Sequence, residues 1–140
     1  MTFHIEGGDF TNAGAASSQV KKVLKQIQID PLIVKRIVVA LYEAEVNIVA
    51  HAYRGDIFVT IQPDNIHIRL VDEGPCIPYI DLAMQEGFST ASSKVREMGF
   101  GAGMGLPNIR RNTDRMHITS QVNQGTTLEM EVSFTNQNPS

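Results

Sequence analysis

The chain has 140 residues, of which 42% are hydrophobic, so it matches the common size of one domain and can bury an ordinary core. A net charge of −3 without a long basic run argues against binding to nucleic acid or to an anionic membrane surface. The sequence shows no apolar run long enough to cross a membrane and no signal-peptide pattern, and its single cysteine, Cys76, fits a reducing compartment. We therefore expect a cytoplasmic protein.

The first part of the chain predicts a strand followed by two helices. Residues 2–6 alternate between polar and apolar side chains as a short strand does, and two glycines follow them. From about residue 12 to 27, apolar residues recur at steps of three and four, which predicts a helix with lysines on its outer face. Asp30 and Pro31 are the N-cap and first-turn residues of a second predicted helix, which covers residues 32–52.

A hairpin is predicted next. Strand-like segments at residues 57–62 and 66–71 flank Pro63-Asp-Asn65, whose residue types are typical of a tight turn. Asp72 directly follows the second of these segments. The pattern therefore predicts that its carboxylate lies at the end of a strand.

The stretch from residue 73 to 105 is a long segment rich in glycine and proline. A loop of this length inside a compact domain is usually a lid or a binding loop, and we expect only short helical turns in it, around residues 80–84. The predicted elements after this loop are a helix at residues 106–115 and a closing hairpin of strands at residues 117–122 and 126–134.

Three polar residues share one face of the second predicted helix. Glu43, Asn47 and His51 follow one another at steps of four, so they form a single stripe, which we call the polar stripe. Burying a carboxylate and an amide among the apolar neighbours of this helix costs free energy unless a partner satisfies them. A ligand or a metal ion is the natural candidate. Glu45 lies elsewhere on the helix and is assigned no role.

Closely spaced glycines end the long loop, at positions 99, 101, 103 and 105. Glycine lets the backbone approach a ligand closely, so N–H groups in this series could bind phosphate oxygens. The helix predicted from Leu106 would add the positive end of its dipole. Together with the polar stripe and Asp72, this series predicts a nucleotide site.

The order and spacing of these segments resemble those of the GHKL ATP-binding superfamily over nearly the entire chain. The matching pieces are Glu43-x-x-x-Asn47-x-x-x-His51-Ala-Tyr53 for the N box, Asp72-Glu-Gly-Pro-Cys-Ile-Pro78 and Gly99-Phe-Gly-Ala-Gly-Met-Gly-Leu106 for the two glycine boxes, and Gly125-Thr-Thr127 for the last box. Within the superfamily, residues 81–90 and 103–111 are most similar to the anti-sigma-factor serine/threonine kinases and the stressosome switch kinase.

The resemblance implies the Bergerat fold, a two-layer α/β sandwich in which helices cover one face of a mixed sheet. It implies a single histidine kinase-like ATPase domain over residues 1–140. The ATP lid of such a domain would cover about residues 74–105.

The resemblance also implies ATP and Mg²⁺ as cofactors and a role for each matched residue. Asn47 would hold Mg²⁺, whose preferred ligands are oxygen atoms, and Asp72 would accept a hydrogen bond from the adenine amino group, with Thr126 completing that contact. Glu43 would be the general base, and Lys94 or Arg96 the lid cation. The other matched nucleotide contacts are Gly74, Ile77, Gly99, Phe100, Gly101, Gly103, Met104, Gly105, Leu106 and His51. For His51 a packing role beside the site is an equal alternative.

One position departs from the pattern. Cys76 stands where the first glycine box has a second glycine. If this position requires a positive φ, a side chain there costs on the order of 1 kcal/mol and could lower the affinity for ATP.

Two functions are compatible with the resemblance. The first is a Mg-ATP-dependent serine/threonine protein kinase of the anti-sigma regulatory type, which phosphorylates a small antagonist protein of the STAS type and so switches partner binding. The second is a non-catalytic ATP-binding module whose nucleotide state controls docking to a partner. Whether a sigma factor is bound, and whether the chain forms a homodimer, stay open at this point.

Overall fold

The computed structural model describes residues 1–74, 105–121 and 125–135, in which helices cover one face of a five-stranded sheet. The elements in chain order are strand β1 (Thr2–Glu6), a 3₁₀ turn (Phe10–Asn12), helices α1 (Ala15–Gln26) and α2 (Pro31–His51), strands β2 (Arg54–Ile61) and β3 (Asn65–Glu73), helix α3 (Gly105–Arg111), and strands β4 (Arg115–Gln121) and β5 (Gly125–Ser133). The two-layer α/β fold is confirmed. No helix in these ranges is both long and apolar enough to cross a membrane.

The strand order is β1-β2-β3-β5-β4, and the four pairings between these strands are all antiparallel. In this respect the sheet differs from the mixed sheet that the resemblance implied. The reason lies in the last hairpin. Strand β4 runs in the same direction as β3, but β5 returns between them and pairs antiparallel with both.

Two helix bounds differ from the predicted ones for local reasons. Helix α1 begins at Ala15 rather than near residue 12, because Gly14 has a left-handed φ of 97°, which a helix interior does not accept. Helix α3 ends at Arg111 rather than at residue 115. The side chains of Asn112 and Thr113 donate to carbonyl groups of the preceding turn, at 2.8 and 2.9 Å, and so provide an alternative to further helical hydrogen bonds.

The predicted start of α2 is confirmed. Oδ1 of Asp30 accepts the N–H of Leu32 at 2.8 Å, and Pro31 occupies the first turn, where its missing N–H leaves no bond unmade. Helix α2 packs against α1 on one side, α3 on the other and the sheet beneath, with Ile37 and Leu41 fully buried. The helix that carries the polar stripe is therefore held on three sides.

Glu45 is the charged residue at the centre of this packing, and its side chain is fully buried. Its Oε2 accepts the N–H groups of Gly14 and Ala16 at 3.0 and 3.1 Å, and its Oε1 accepts the N–H of Ser17 at 3.1 Å. These N–H groups lie at the start of α1, where the helix has unpaired donors and the positive end of its dipole. Glu45, assigned no role from sequence, thus caps α1 from the neighbouring helix.

We expect Glu45→Gln to lower the free energy of unfolding by about 2–3 kcal/mol, because hydrogen bonds to a charged acceptor are stronger than neutral ones and one oxygen becomes an N–H₂ donor facing N–H groups. The measurement is urea denaturation followed by circular dichroism. Glu43→Gln, on the same helix and half-buried, is the matched control and should change the free energy of unfolding by less than about 1 kcal/mol. Equal losses in the two variants would contradict the capping role.

Candidate functional site

Two residues of the polar stripe, Asn47 and His51, line a cleft between α2 and the sheet. The cleft has two further polar members, Asp72 near the end of β3 and Thr126 near the start of β5. The apolar side chains of its walls are Ala44, Ile48, Ala52, Leu70, Leu106, Ile118 and Leu128. An apolar cleft with a few convergent polar groups is the usual construction of a small-molecule site.

Asp72 is fixed by the strand register and by one hydrogen bond. It pairs with Gly55 of β2 on one side and with Thr126 of β5 on the other. Its Oδ1 accepts the backbone N–H of Thr126 at 3.0 Å. Burial raises the pKa of Asp72, and the Thr126 N–H offsets part of that effect by stabilising the carboxylate. The Asp72 carboxylate is therefore an oriented hydrogen-bond acceptor that is partly shielded from water.

Two glycines make room for the strand end that carries Asp72. A Cβ on Gly55 would lie 3.0 Å from Ile48 Cδ1 and 3.2 Å from Asp72 Cβ. A Cβ on Gly125 would lie 2.0 Å from the carbonyl oxygen of Asp72, and Gly125 also has a φ of 125°, which residues with side chains rarely adopt. Sequence reasoning matched Gly125 to the last box without assigning it to the site, and it missed Gly55, whose importance depends on the strand register.

Gly74 has a packing role at the same end of the cleft. A Cβ there would lie 3.0 Å from Ala52 Cα and 3.1 Å from the Tyr53 nitrogen, just after α2 ends. The Tyr53 N–H donates to the Glu73 carbonyl at 2.8 Å, which ties the chain leaving α2 to the end of β3. The lack of a side chain at Gly74 therefore lets its own backbone lie close to the end of α2.

His51 is the last residue of α2, and burial lowers its pKa, so its imidazole is neutral at pH 7. A neutral imidazole in this cleft can donate or accept one hydrogen bond. This is compatible with both alternatives drawn from the sequence, direct contact and packing beside the site.

Glu43, the first residue of the polar stripe, does not line the cleft. Its side chain is half-buried and lies beside α3, where its Oε1 accepts a long hydrogen bond of 3.5 Å from Asn108 Nδ2. Asn108 in turn accepts a hydrogen bond from Arg111 at 3.1 Å. Along α2, Glu43 lies one helical turn before Asn47. Asn108 belongs to the matched segment at residues 103–111, but the motif did not predict its contact with Glu43.

A sequence profile described as the histidine kinase-like ATPase domain matches residues 9–132. The chain belongs to this family. The match includes the polar stripe, Asp72 and Thr126. This confirms the resemblance at the level of the family, and the structure supplies the cleft that Asn47, His51, Asp72 and Thr126 line.

Named relatives of this chain include a serine/threonine-protein kinase and anti-sigma F factors. The serine/threonine-protein kinase RsbT of Bacillus subtilis is 30% identical over 119 residues, which cover 82% of this chain and 84% of that protein. The anti-sigma F factor of Caldanaerobacter subterraneus subsp. tengcongensis is 34% identical over 110 residues, 74% of this chain and 73% of that protein. Similarity to these relatives supports membership of the anti-sigma kinase group.

Solved structures agree on the fold. The RsbU and RsbW domains of Rv1364c from Mycobacterium tuberculosis align with a TM-score of 0.57 at 18% identity over 94% of this chain, which spans 32% of that longer chain. The mycobacterial sensor histidine kinase MprB aligns with a TM-score of 0.54 at 14% identity, over 95% of this chain and 97% of that one. At these identities the likeness concerns the fold alone.

The predicted ATP lid, about residues 74–105, lies mainly outside the described residues. The predicted site residues outside them are Ile77, Lys94, Arg96, Gly99, Phe100, Gly101, Gly103 and Met104, as are Cys76 and the helical turns expected around residues 80–84. Gly105 is described and is the first residue of α3, and Leu106 is buried and lines the cleft. Leu106, a predicted nucleotide contact, thus belongs to the wall of the cleft.

The protein oxygen atoms near the cleft are of the type that would bind Mg²⁺ together with a nucleotide. Across the described ranges, no three His, Cys, Asp or Glu side chains gather to hold a metal ion by themselves. Mg²⁺ does not need such a cluster, because it keeps several waters and usually takes one or two protein oxygens together with phosphates. The Asn47 amide oxygen is a metal ligand of the required type.

We expect Asp72→Asn to raise the melting temperature of the nucleotide-free protein at pH 7. The variant keeps an oxygen for the Thr126 N–H and loses the charge. A carboxyl whose folded pKa is raised contributes stability fully below its ordinary pKa of 3.8, and this contribution is lost as the pH rises through the folded pKa. The measurement is calorimetry from about pH 4 to pH 8. The gain should shrink towards the acid end, and a variant less stable than the natural chain at pH 7 would contradict the assignment.

Proposed function

We propose that this chain is a Mg-ATP-dependent serine/threonine protein kinase that phosphorylates a small antagonist protein of the STAS type. The observation that carries the proposal is the cleft in which Asp72, oriented by the Thr126 N–H, lies together with Asn47 and His51. The family match and the relatives named kinase and anti-sigma factor support the same function.

Base selection follows from Asp72. Its carboxylate accepts the Thr126 N–H through Oδ1, and Oδ2 has no hydrogen-bond partner among the described residues. An adenine amino group is a donor that such an acceptor would bind, whereas the carbonyl oxygen of guanine at the same ring position would face the carboxylate unfavourably. The apolar walls, with Leu70 and Leu128 from the sheet, give a planar base a dry surface to pack against.

Phosphate and metal binding fall to the neighbouring groups. Mg²⁺, when bound, supplies positive charge that neutralises the phosphate oxygens during transfer. Asn47 would hold it through its amide oxygen. The lid glycines proposed for phosphate contact end at Gly105, which is the first residue of α3.

Glu43 is proposed as the general base. In the transfer step the serine oxygen forms a bond to the γ-phosphorus, the bond from that phosphorus to the bridging oxygen breaks, and its electron pair leaves with ADP. The proton of the serine hydroxyl must then be accepted by the protein. Glu43 lies one turn before Asn47 on α2 and is half-buried beside α3, where Asn108 contacts it at 3.5 Å. It is the carboxylate proposed to accept that proton.

The partner is proposed from the relatives. An anti-sigma F factor is named for its action on a sigma factor, and RsbT is named a kinase, so a phosphorylated antagonist and a regulated sigma factor or similar protein are the two expected contacts. A non-catalytic ATP-binding module is the alternative. Cys76, which stands in place of the second glycine of its box and could lower the affinity for ATP, is the position at which the chain departs from the family pattern.

We expect Asn47→Ala to abolish Mg-ATP binding, because the proposed metal ligand is lost, whereas Glu43→Gln should retain binding and lose phosphate transfer. Binding is measured as the rise in unfolding free energy, which is about 2.7 kcal/mol at a ligand concentration a hundred times the dissociation constant. Transfer is measured with radiolabelled ATP and purified STAS-domain antagonists.

The two readouts separate the alternatives. Nucleotide-dependent stabilisation without transfer in the natural chain would favour the non-catalytic module. Equal loss of nucleotide affinity in both variants would remove the role given to Glu43. No stabilisation of the natural chain by millimolar Mg-ATP would overturn the nucleotide site itself.

A further inference from the structure

A groove of about 600 Å³ runs between α1 and α2 on the outer surface of the helical layer. Its floor contains the partly buried apolar side chains of Ile29, Val38 and Val39. Its rim carries Lys21, Lys25 and Lys35, all exposed; we call these six residues the lysine groove.

The positive charge around this groove contrasts with the rest of the protein. Residues 15–39 carry five basic side chains and one acidic side chain, a net charge of +4, in a chain whose net charge is −3. The remaining residues therefore carry −7. Within this segment Asp30 caps α2 through the N–H of Leu32, and Arg36 pairs with Asp114 at 3.0 Å, so the charge of the groove comes from its lysines. The groove is thus a basic site on an acidic protein, and it is complementary to carboxylates.

Apolar surface continues the groove at both ends. At the turn between the two helices, Ile27 is 48% exposed and Leu32 is 74% exposed. At the other end, a second hollow of about 490 Å³ shares Lys21 and Val38 with the groove and reaches Tyr42, which is 39% exposed. Helix α1 has 12 residues, so a partner lying along it would have about 18 Å of surface, or roughly three helical turns.

We propose that the lysine groove docks an acidic amphipathic helix of a partner protein. The apolar face of that helix would cover Val38 and Val39, and its flanking carboxylates would pair with the three lysines. A concave surface between two helices suits a helix better than a flat lipid surface. The groove's residues are not among those that line the nucleotide cleft, so this proposal goes beyond the kinase activity and does not depend on it.

The test uses the full chain and a fluorescein-labelled 18-residue peptide, with leucines at steps of three and four and glutamates flanking them. Fluorescence anisotropy should show saturable binding that weakens with salt. Reversal of all three rim charges (Lys21→Glu, Lys25→Glu and Lys35→Glu) should weaken binding at least tenfold, which is about 1.4 kcal/mol. Lys22→Glu is the matched control, because Lys22 is exposed on the same helix but does not line the groove, and it should change the affinity less than about twofold.

Further measurements test whether apolar contact and peptide charge both contribute to binding, and whether each variant is folded. Val38→Ser, which removes apolar floor without changing charge, should also weaken binding, and circular dichroism reports whether each variant is folded. A peptide with lysines in place of the glutamates should not bind. Equal loss in the Lys22 variant, or no loss on triple charge reversal, would overturn the proposal.

Two other occupants would overturn it as well. The first is an anionic membrane, which would appear as sedimentation with phosphatidylserine vesicles that the triple reversal removes. The second is another copy of this chain, which would appear in light scattering as a dimer that the triple reversal dissociates. Neither result requires ATP, so both are independent of the outcome for the kinase.

Discussion

The hydrogen bonds that Glu45 accepts from the first turn of α1 are the constraint on which the helical layer depends. A carboxylate with no exposed surface is unfavourable on its own, so α2 can bury this position only where the N–H groups of Gly14, Ala16 and Ser17 face it. Apolar packing alone would allow the two helices to slide by small steps, whereas these directional bonds fix their register. Because Asn47 and His51 lie on the same helix, the register of α1 and α2 also sets the position of the cleft's polar groups.

Within nine residues, polar side chains of helix α2 face three different parts of the structure. Glu43 lies towards α3, Glu45 points to the start of α1, and Asn47 and His51 line the cleft with Asp72. Since each of these directions is set by the rotation of one helix, the site cannot be adjusted piece by piece. A movement that brought Glu43 closer to the cleft would also strain the buried bonds of Glu45. The first half of the same helix also lines the lysine groove on the outer surface, through Lys35, Val38 and Val39.

Sequence patterns predicted the elements well because hydrophobic period and cap residues act locally, and Asp30 before α2 is an example. They also predicted that Asn47 and Asp72 belong to one site, since spacing and strand ends are visible in the sequence. The role of Glu45 could not be predicted, because its partners are backbone N–H groups some thirty residues earlier, which have no sequence signature. The tight packing at Gly55 was hidden for a related reason, since it exists only once β2 and β3 pair in their observed register.

The interior position of β5 in the sheet affects the order in which parts of the protein fold. This strand is the last element of the described chain, yet it lies between β3 and β4, and its pairing with β3 joins residues as far apart as Asn65 and Ser133. Contacts of such long sequence separation form late because loop closure must come first. Thr126, whose N–H orients Asp72, arrives with that strand. During synthesis the helical hairpin and the first three strands can assemble while the cleft is still open on one side. The Asp72 carboxylate is therefore oriented only when the final strand docks.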